Sequence, residues 1–161
     1  MESIIRGKVH KYGDNINTDI ISPPAYMELK ISEAAKYTMY TVDPEFASRC
    51  KPGDILVAEN NFGSGSSRET APLCLKELGI RLILAKNFAR IFYRNAINLG
   101  ILAVECPDTD KISAGDIIEV DFLAGQVKNL TKNETYPSAK MPDHILRLVQ
   151  IGGLIPYLES I

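Results

Sequence analysis

Three short apolar runs constrain this chain more than any other feature: Asp54-Ile-Leu-Val-Ala58, Arg81-Leu-Ile-Leu-Ala85 and Ile101-Leu-Ala-Val104. Each is strand-length and almost continuously apolar, which is how a strand buried on both faces reads. Stretches of helical character over about residues 67–78 and 87–98 separate them. Gly79 and Gly100 follow these stretches where a helix C′ residue belongs, and Asn87 can cap the second. Apolar strands alternating with helices of about ten residues are the pattern of parallel βαβ units.

The flanks read differently. Residues 3–9 form a first strand closed by a turn at Gly13-Asp-Asn15, while 116–122 and 126–130 form a hairpin turning at Ala124-Gly125. Residues 17–24 end in Pro23-Pro24 and read as an extended surface loop. A weak helix is expected over 32–40 with Ser32 as its cap, and a short one through Arg49 after the cap pair Asp43-Pro44. Residues 51–54 read as a turn. Pro142 opens a helix over 143–150, stopped by Gly152-Gly153. The expected class is α/β, a parallel βαβ core with antiparallel strands added at the ends.

A chain of 161 residues, 45% hydrophobic, is expected to be one domain over residues 1–161. No apolar run approaches the roughly 20 residues of a membrane span. The start, Met1-Glu-Ser-Ile-Ile-Arg, carries no apolar signal region, so a cytoplasmic location is expected. A net charge of −2 offers no general attraction to nucleic acid. Cys50, Cys74 and Cys106 include no CxxC, and His10 and His144 lack ligand spacing. Buried free thiols and no metal held by this chain are therefore expected.

The first crossover carries Asn60-Asn-Phe-Gly-Ser-Gly-Ser-Ser-Arg-Glu-Thr-Ala-Pro72 on a strand-to-helix turn. Such a turn aims backbone N–H groups and the positive end of a helix dipole at one point, which suits an anion. A dinucleotide loop is disfavoured because Arg68 stands where the third glycine of GxGxxG belongs. No Gly-Lys-Ser/Thr follows, which excludes a P-loop. A serine-hydrolase elbow lacks its second glycine. Two readings remain from the residues alone. One is an anion site in which Ser66 is a base with a stabilised alkoxide and Arg68 is a fork for a carboxylate. The other is a plain glycine turn with Ser67 as helix cap and Arg68 in solvent.

Three segments taken together, Gly13-Asp-Asn-Ile-Asn-Thr-Asp19, Asn61-Phe-Gly-Ser-Gly-Ser-Ser-Arg-Glu69 and Ala85-Lys-Asn-Phe-Ala-Arg-Ile-Phe-Tyr-Arg-Asn95, closely resemble the aconitase superfamily. Within it they resemble the branch of separate small subunits of 3-isopropylmalate dehydratase and homoaconitase-like hydro-lyases. The resemblance implies the superfamily's swivelling-domain fold, a three-layer β/β/α arrangement that closes over a large subunit. It implies that a [4Fe-4S] cluster sits in that partner, acting as Lewis acid on a departing hydroxyl, and that the substrate is a small hydroxy-dicarboxylate. By matching position, Ser66 is the catalytic base, Ser67, Arg68 and Gly65 bind substrate, and Asp19 is an acid in the site.

Two departures bear on substrate. Thr70 stands where many relatives have histidine. Tyr26-Met-Glu-Leu-Lys30 falls on the family's specificity loop, with Glu28 where relatives that take a third carboxylate place arginine. A carboxylate there repels an anionic γ-substituent. An apolar substituent such as isopropyl is therefore expected, met by Met27 or Leu29, while Lys30 in the same loop could supply a cation in place of the arginine if the alignment is shifted by one. Lys86, Arg90 and Arg94 interleave with Phe88, Phe92 and Tyr93, but the net charge argues against an RNA surface and for a helix with an aromatic core face. The alternatives are a homoaconitase-type or methyl-substituted malate dehydratase subunit and, from another class, a non-catalytic binding module. The lone chain is open to homo-oligomerisation.

Overall fold

The computed structural model describes residues 4–26, 28–65 and 69–151. Among these residues, seven strands form one mixed sheet. They are β1 (Ile4–Lys11), β2 (Ile55–Val57), β3 (Leu82–Ala85), β4 (Leu102–Glu105), β5 (Ile117–Asp121), β6 (Gln126–Asn129) and β7 (Glu134–Pro137), in the order β4-β3-β2-β1-β5-β6-β7. The half from β4 to β1 is parallel and the half from β1 to β7 antiparallel, with β1 shared. The expected class and its antiparallel additions are both present. Strand β7 escaped the sequence reading because it is polar, largely exposed and ends on a proline, as an edge strand does.

Alternation along the parallel strands explains their continuous apolarity. Ile55, Val57, Leu82, Leu84, Leu102 and Val104 enter one core, and Leu56, Ala58, Ile83, Ala85 and Ile101 enter the other. The first core also holds Ile118, Val120, Val127 and Tyr136 from the antiparallel half. In a flat sheet β4 and β7 would lie roughly 29 Å apart, six strand spacings. Here Ala139 N–H donates to Glu105 O at 2.8 Å. The sheet therefore curls until its ends nearly meet, and its two halves become two β layers.

The second core is covered by α4 (Thr70–Glu77) and by the turns α1 (Thr18–Ile21) and α3 (Phe46–Arg49), while α2 (Ile31–Ala34) packs through Ala34 against Cys74 of α4. This makes the third layer of the β/β/α arrangement. Helix α5 (Arg90–Asn98) places Phe92 and Ala96 in the second core and Ile97 in the first, with Tyr93 packed against it. Helix α6 (Asp143–Ile151) contributes Leu146 to the first core. Among the described residues no helix is long and apolar enough to cross a membrane.

Several local expectations are corrected. Residues 18–21 are a helical turn, with the Asn17 side chain accepting the Ile20 N–H and Ile21 fully buried. The prolines follow this turn and so do not forbid it. Ser32 lies inside α2, whose cap position is Lys30. Helix α3 starts later than expected, with Glu45 at its cap position, while the Asp43 carboxylate accepts the Glu45 backbone N–H and takes further hydrogen bonds from Tyr12 and Arg49. Asn87 is not a cap either, because α5 begins at Arg90 and the Asn87 amide serves another turn.

Candidate active site

The carboxyl ends of parallel strands are where open α/β sheets bind ligands, because the connecting loops splay there. Three loops converge at the ends of β1, β2 and β3, and side-chain amides tie them together. Asn60 donates to Asp14 Oδ1 through both its backbone N–H (3.0 Å) and its Nδ2 (3.1 Å). The Asn61 N–H donates to Asn87 Oδ1 at 2.6 Å, and Asn61 Nδ2 donates to Asn15 Oδ1 at 3.1 Å. Asn87 Nδ2 returns a bond to Asn60 Oδ1 at 3.0 Å. Asn15 and Asn61 have φ of 56° and 59°, a left-handed geometry that asparagine tolerates better than most residues. The two bonds from Asn60, backbone first, hold the Asp14 carboxyl below its ordinary value.

Gly63 and Gly65 turn the chain at φ of 84° and 102°. Gly63 N–H donates to Ile16 O at 2.7 Å, and Thr18 N–H donates to Ser64 O at 2.8 Å. Phe62, fully buried, bridges to Phe88 and meets Phe92 edge-to-face at 5.1 Å. A Cβ on Gly65 would come within 3.2 Å of Thr18 Oγ1. The structure thus brings Gly65 beside the turn that carries Asp19, and both residues are exposed. Ser66, Ser67, Arg68 and Met27 lie outside the described residues.

Two cations near this end of the sheet are already committed. Lys11 Nζ is 2.8 Å from Glu59 and donates to the carbonyls of Thr109 and Ile112. Lys86 pairs with Glu59 at 3.6 Å and Asp110 at 3.4 Å.

The described residues around the expected specificity loop include two 3-10 turns, Pro24–Tyr26 and Ala35–Tyr37. Tyr26 stacks on Tyr37 with ring centroids 3.9 Å apart, and Tyr40 packs on both edge-to-face. Leu29 N–H donates to Tyr26 O at 3.1 Å, and Glu28, Leu29 and Lys30 are exposed. Arg90 and Arg94 are exposed on α5 while Phe92 is buried, as the aromatic core face requires.

The residues that sequence reasoning passed over are the amides Asn15, Asn60 and Asn87. Their signal was asparagine recurring in three separate loops, which is invisible until the loops are known to meet. An iron–sulfur cluster does not fit this chain. Cys50 and Cys106 lie in the two main cores and Cys74 in a third, small one with Ala34 and Ala35, so no set of thiolates converges.

The family model of the aconitase C-terminal domain matches residues 2–109. The isopropylmalate/citramalate isomerase small subunit of Methanocaldococcus jannaschii is 47% identical over 99% of this chain and 96% of that protein. The 3-isopropylmalate dehydratase small subunit of Caldicellulosiruptor saccharolyticus is 48% identical over 98% of this chain and 92% of that one. A crystal structure of 3-isopropylmalate dehydratase from M. jannaschii superposes with a TM-score of 0.93 at 40% identity, covering 98% of this chain and 94% of the other.

Proposed function

This chain belongs to the aconitase C-terminal domain family, and on that premise we propose that it is the small subunit of a two-chain hydro-lyase that interconverts 2- and 3-isopropylmalate in leucine biosynthesis. The reaction removes a proton from a carbon next to a carboxylate and a hydroxide from the neighbouring carbon. It then returns both with their positions exchanged. The observation that carries the reading is the meeting of the Gly63–Gly65 turn with the Asp19 turn at the carboxyl ends of parallel strands, through Thr18 N–H and Ser64 O.

In this reading Ser66 takes the proton. Its alkoxide is stabilised by backbone N–H groups of the turn and the positive end of α4. Arg68 offers two parallel N–H groups to a substrate carboxylate, and Ser67 and Gly65 complete that cradle. Asp19 serves as the acid beside it. The commitment of Lys11 and Lys86 elsewhere supports Arg68 as the substrate's cation. Met27 or Leu29 meets the isopropyl group, while Glu28 disfavours a third carboxylate once closure desolvates it. The [4Fe-4S] cluster belongs to the large subunit, and the dispersal of the three cysteines supports that division. The complex works in the cytoplasm, and residues 1–161 act as one swivelling domain.

A second substrate is favoured by one observation. The M. jannaschii relative is named for both isopropylmalate and citramalate, and a methyl group fits the same apolar contact. The test is reconstitution with the large subunit under anaerobic conditions, comparing kcat/KM for isopropylmalate, citramalate and a homocitrate-type tricarboxylate. Isopropylmalate is expected to lead and Glu28→Arg to move preference toward the tricarboxylate. Turnover by this chain alone, or a wild-type preference for the tricarboxylate, contradicts the proposal.

A further inference from the structure

We propose that His10, Cys50 and Asp54 form a binding site for one divalent cation of borderline softness, such as Zn2+, at the junction of β1 and β2. Their spacing of 40 and 4 residues resembles no ligand motif, so the sequence gives no hint of it. The fold assembles it instead. His10 lies on β1 opposite Leu56 of β2, and Cys50 and Asp54 bracket the Lys51–Gly53 turn that leads into β2. That turn closes with Asp54 N–H donating to Lys51 O at 3.0 Å, so the thiol and the carboxylate end up on the same side, toward His10.

One ligand atom from each of the three lies within 4.8 Å of the others. The shortest separation is 2.7 Å, His10 Nε2 to Asp54 Oδ2. Tetrahedral zinc with bonds of about 2.0–2.3 Å sets its ligand atoms roughly 3.3–3.8 Å apart. The cluster brackets that range, and side-chain adjustments of about an ångström complete it. All three residues are at least nine-tenths buried. A thiolate and a carboxylate neutralise the charge of a divalent cation, so occupancy buries no net charge.

The protons balance. Burial and Asp54 push the Cys50 thiol up to about 11, so without metal it stays protonated, with only distant contacts to the carbonyls of Lys51 (3.8 Å) and Leu78 (3.9 Å). Metal binding forms the M–S bond and releases that proton. Without metal, His10 Nε2–H donates to Asp54 Oδ2. On binding, Nε2 gives its lone pair to the metal and its proton is exchanged through solvent to Nδ1, so His10 stays neutral and the one proton released is that of Cys50. No described residue is bonded to Nδ1. A cleft of about 340 Å3 lined by Lys8, Asp43 and Arg49 reaches His10, the member of the trio nearest solvent on that side.

Cobalt(II) is the probe, because thiolate-to-cobalt charge transfer reports both sulfur ligation and tetrahedral geometry. Full-length chain is stripped with chelator, kept anaerobic and titrated with Co2+, then with Zn2+. The expected result is about one equivalent bound with a charge-transfer band that Zn2+ abolishes. Cys50→Ala should lose the band, while Cys74→Ala and Cys106→Ala keep it. Cys50→Ala leaves the His10–Asp54 bond in place, and circular dichroism checks that it folds. Absence of the band in folded wild type, or an undiminished band in Cys50→Ala, overturns the proposal.

Discussion

At the scale of single residues, the partly buried carboxylate of Asp43 shows how local partners outweigh burial. Burial acts to raise its pKa, but the hydrogen bonds from Arg49 and Tyr12 and the charge of Arg49 together bring it below the ordinary 3.8. Tyr12 is shifted the opposite way, upward, by its burial and by the same bond. A depressed carboxyl contributes stability that is present above its unfolded value and is lost as pH falls through its folded value. Asp43→Asn is therefore expected to cost about 1 kcal/mol at pH 7, since part of the pair is screened by solvent. The gap should close once the pH is well below 3.8, the ordinary value. Urea unfolding of both proteins at the two pH values checks this, and an undiminished gap in acid contradicts it. Cap assignment is where single-residue reading did worst. Asn87 and Ser32 both have good capping side chains, but a tertiary partner claimed the first, and the second sits two positions past the cap.

At the scale of elements, the crossover from β2 to α4 depends on α5. A Cβ on Gly63 would lie 2.2 Å from Phe92 Cγ and 2.4 Å from its Cβ, and the φ of 84° is unfavourable for any L-residue. Gly63→Ala should therefore destabilise the chain by about 3–5 kcal/mol, combining overpacking with left-handed strain. Thermal unfolding measures it; a change within about 0.5 kcal/mol of wild type, the range of a neutral surface substitution, would mean that Phe92 does not hold the turn. The strands around this turn were legible because burial on both faces leaves an unmistakable apolar run. The lashing of its loops by Asn15, Asn60, Asn61 and Asn87 was not, since each bond joins residues 26 to 46 positions apart. Polar β7 was hidden for the related reason that an exposed edge strand has no apolar run to show.

At the scale of the whole molecule, one curled sheet does two jobs. Its parallel half presents the convergent loops at one end, and its antiparallel half folds over to bury the other side of the same strands. The class and the parallel core could be read directly from the alternation of strand and helix. The closure of β4 toward the end of β7 could not, because curl is a property of the assembled sheet. The account's central claim also belongs to this scale: the chain carries half of an active site, with the base on Ser66 and the metal on a partner. The most direct test is Ser66→Ala in the complex reconstituted anaerobically with the large subunit, assembly being confirmed by size-exclusion chromatography. The account predicts that kcat for isopropylmalate falls by at least about 100-fold while KM changes little. Turnover within a few-fold of wild type would contradict it.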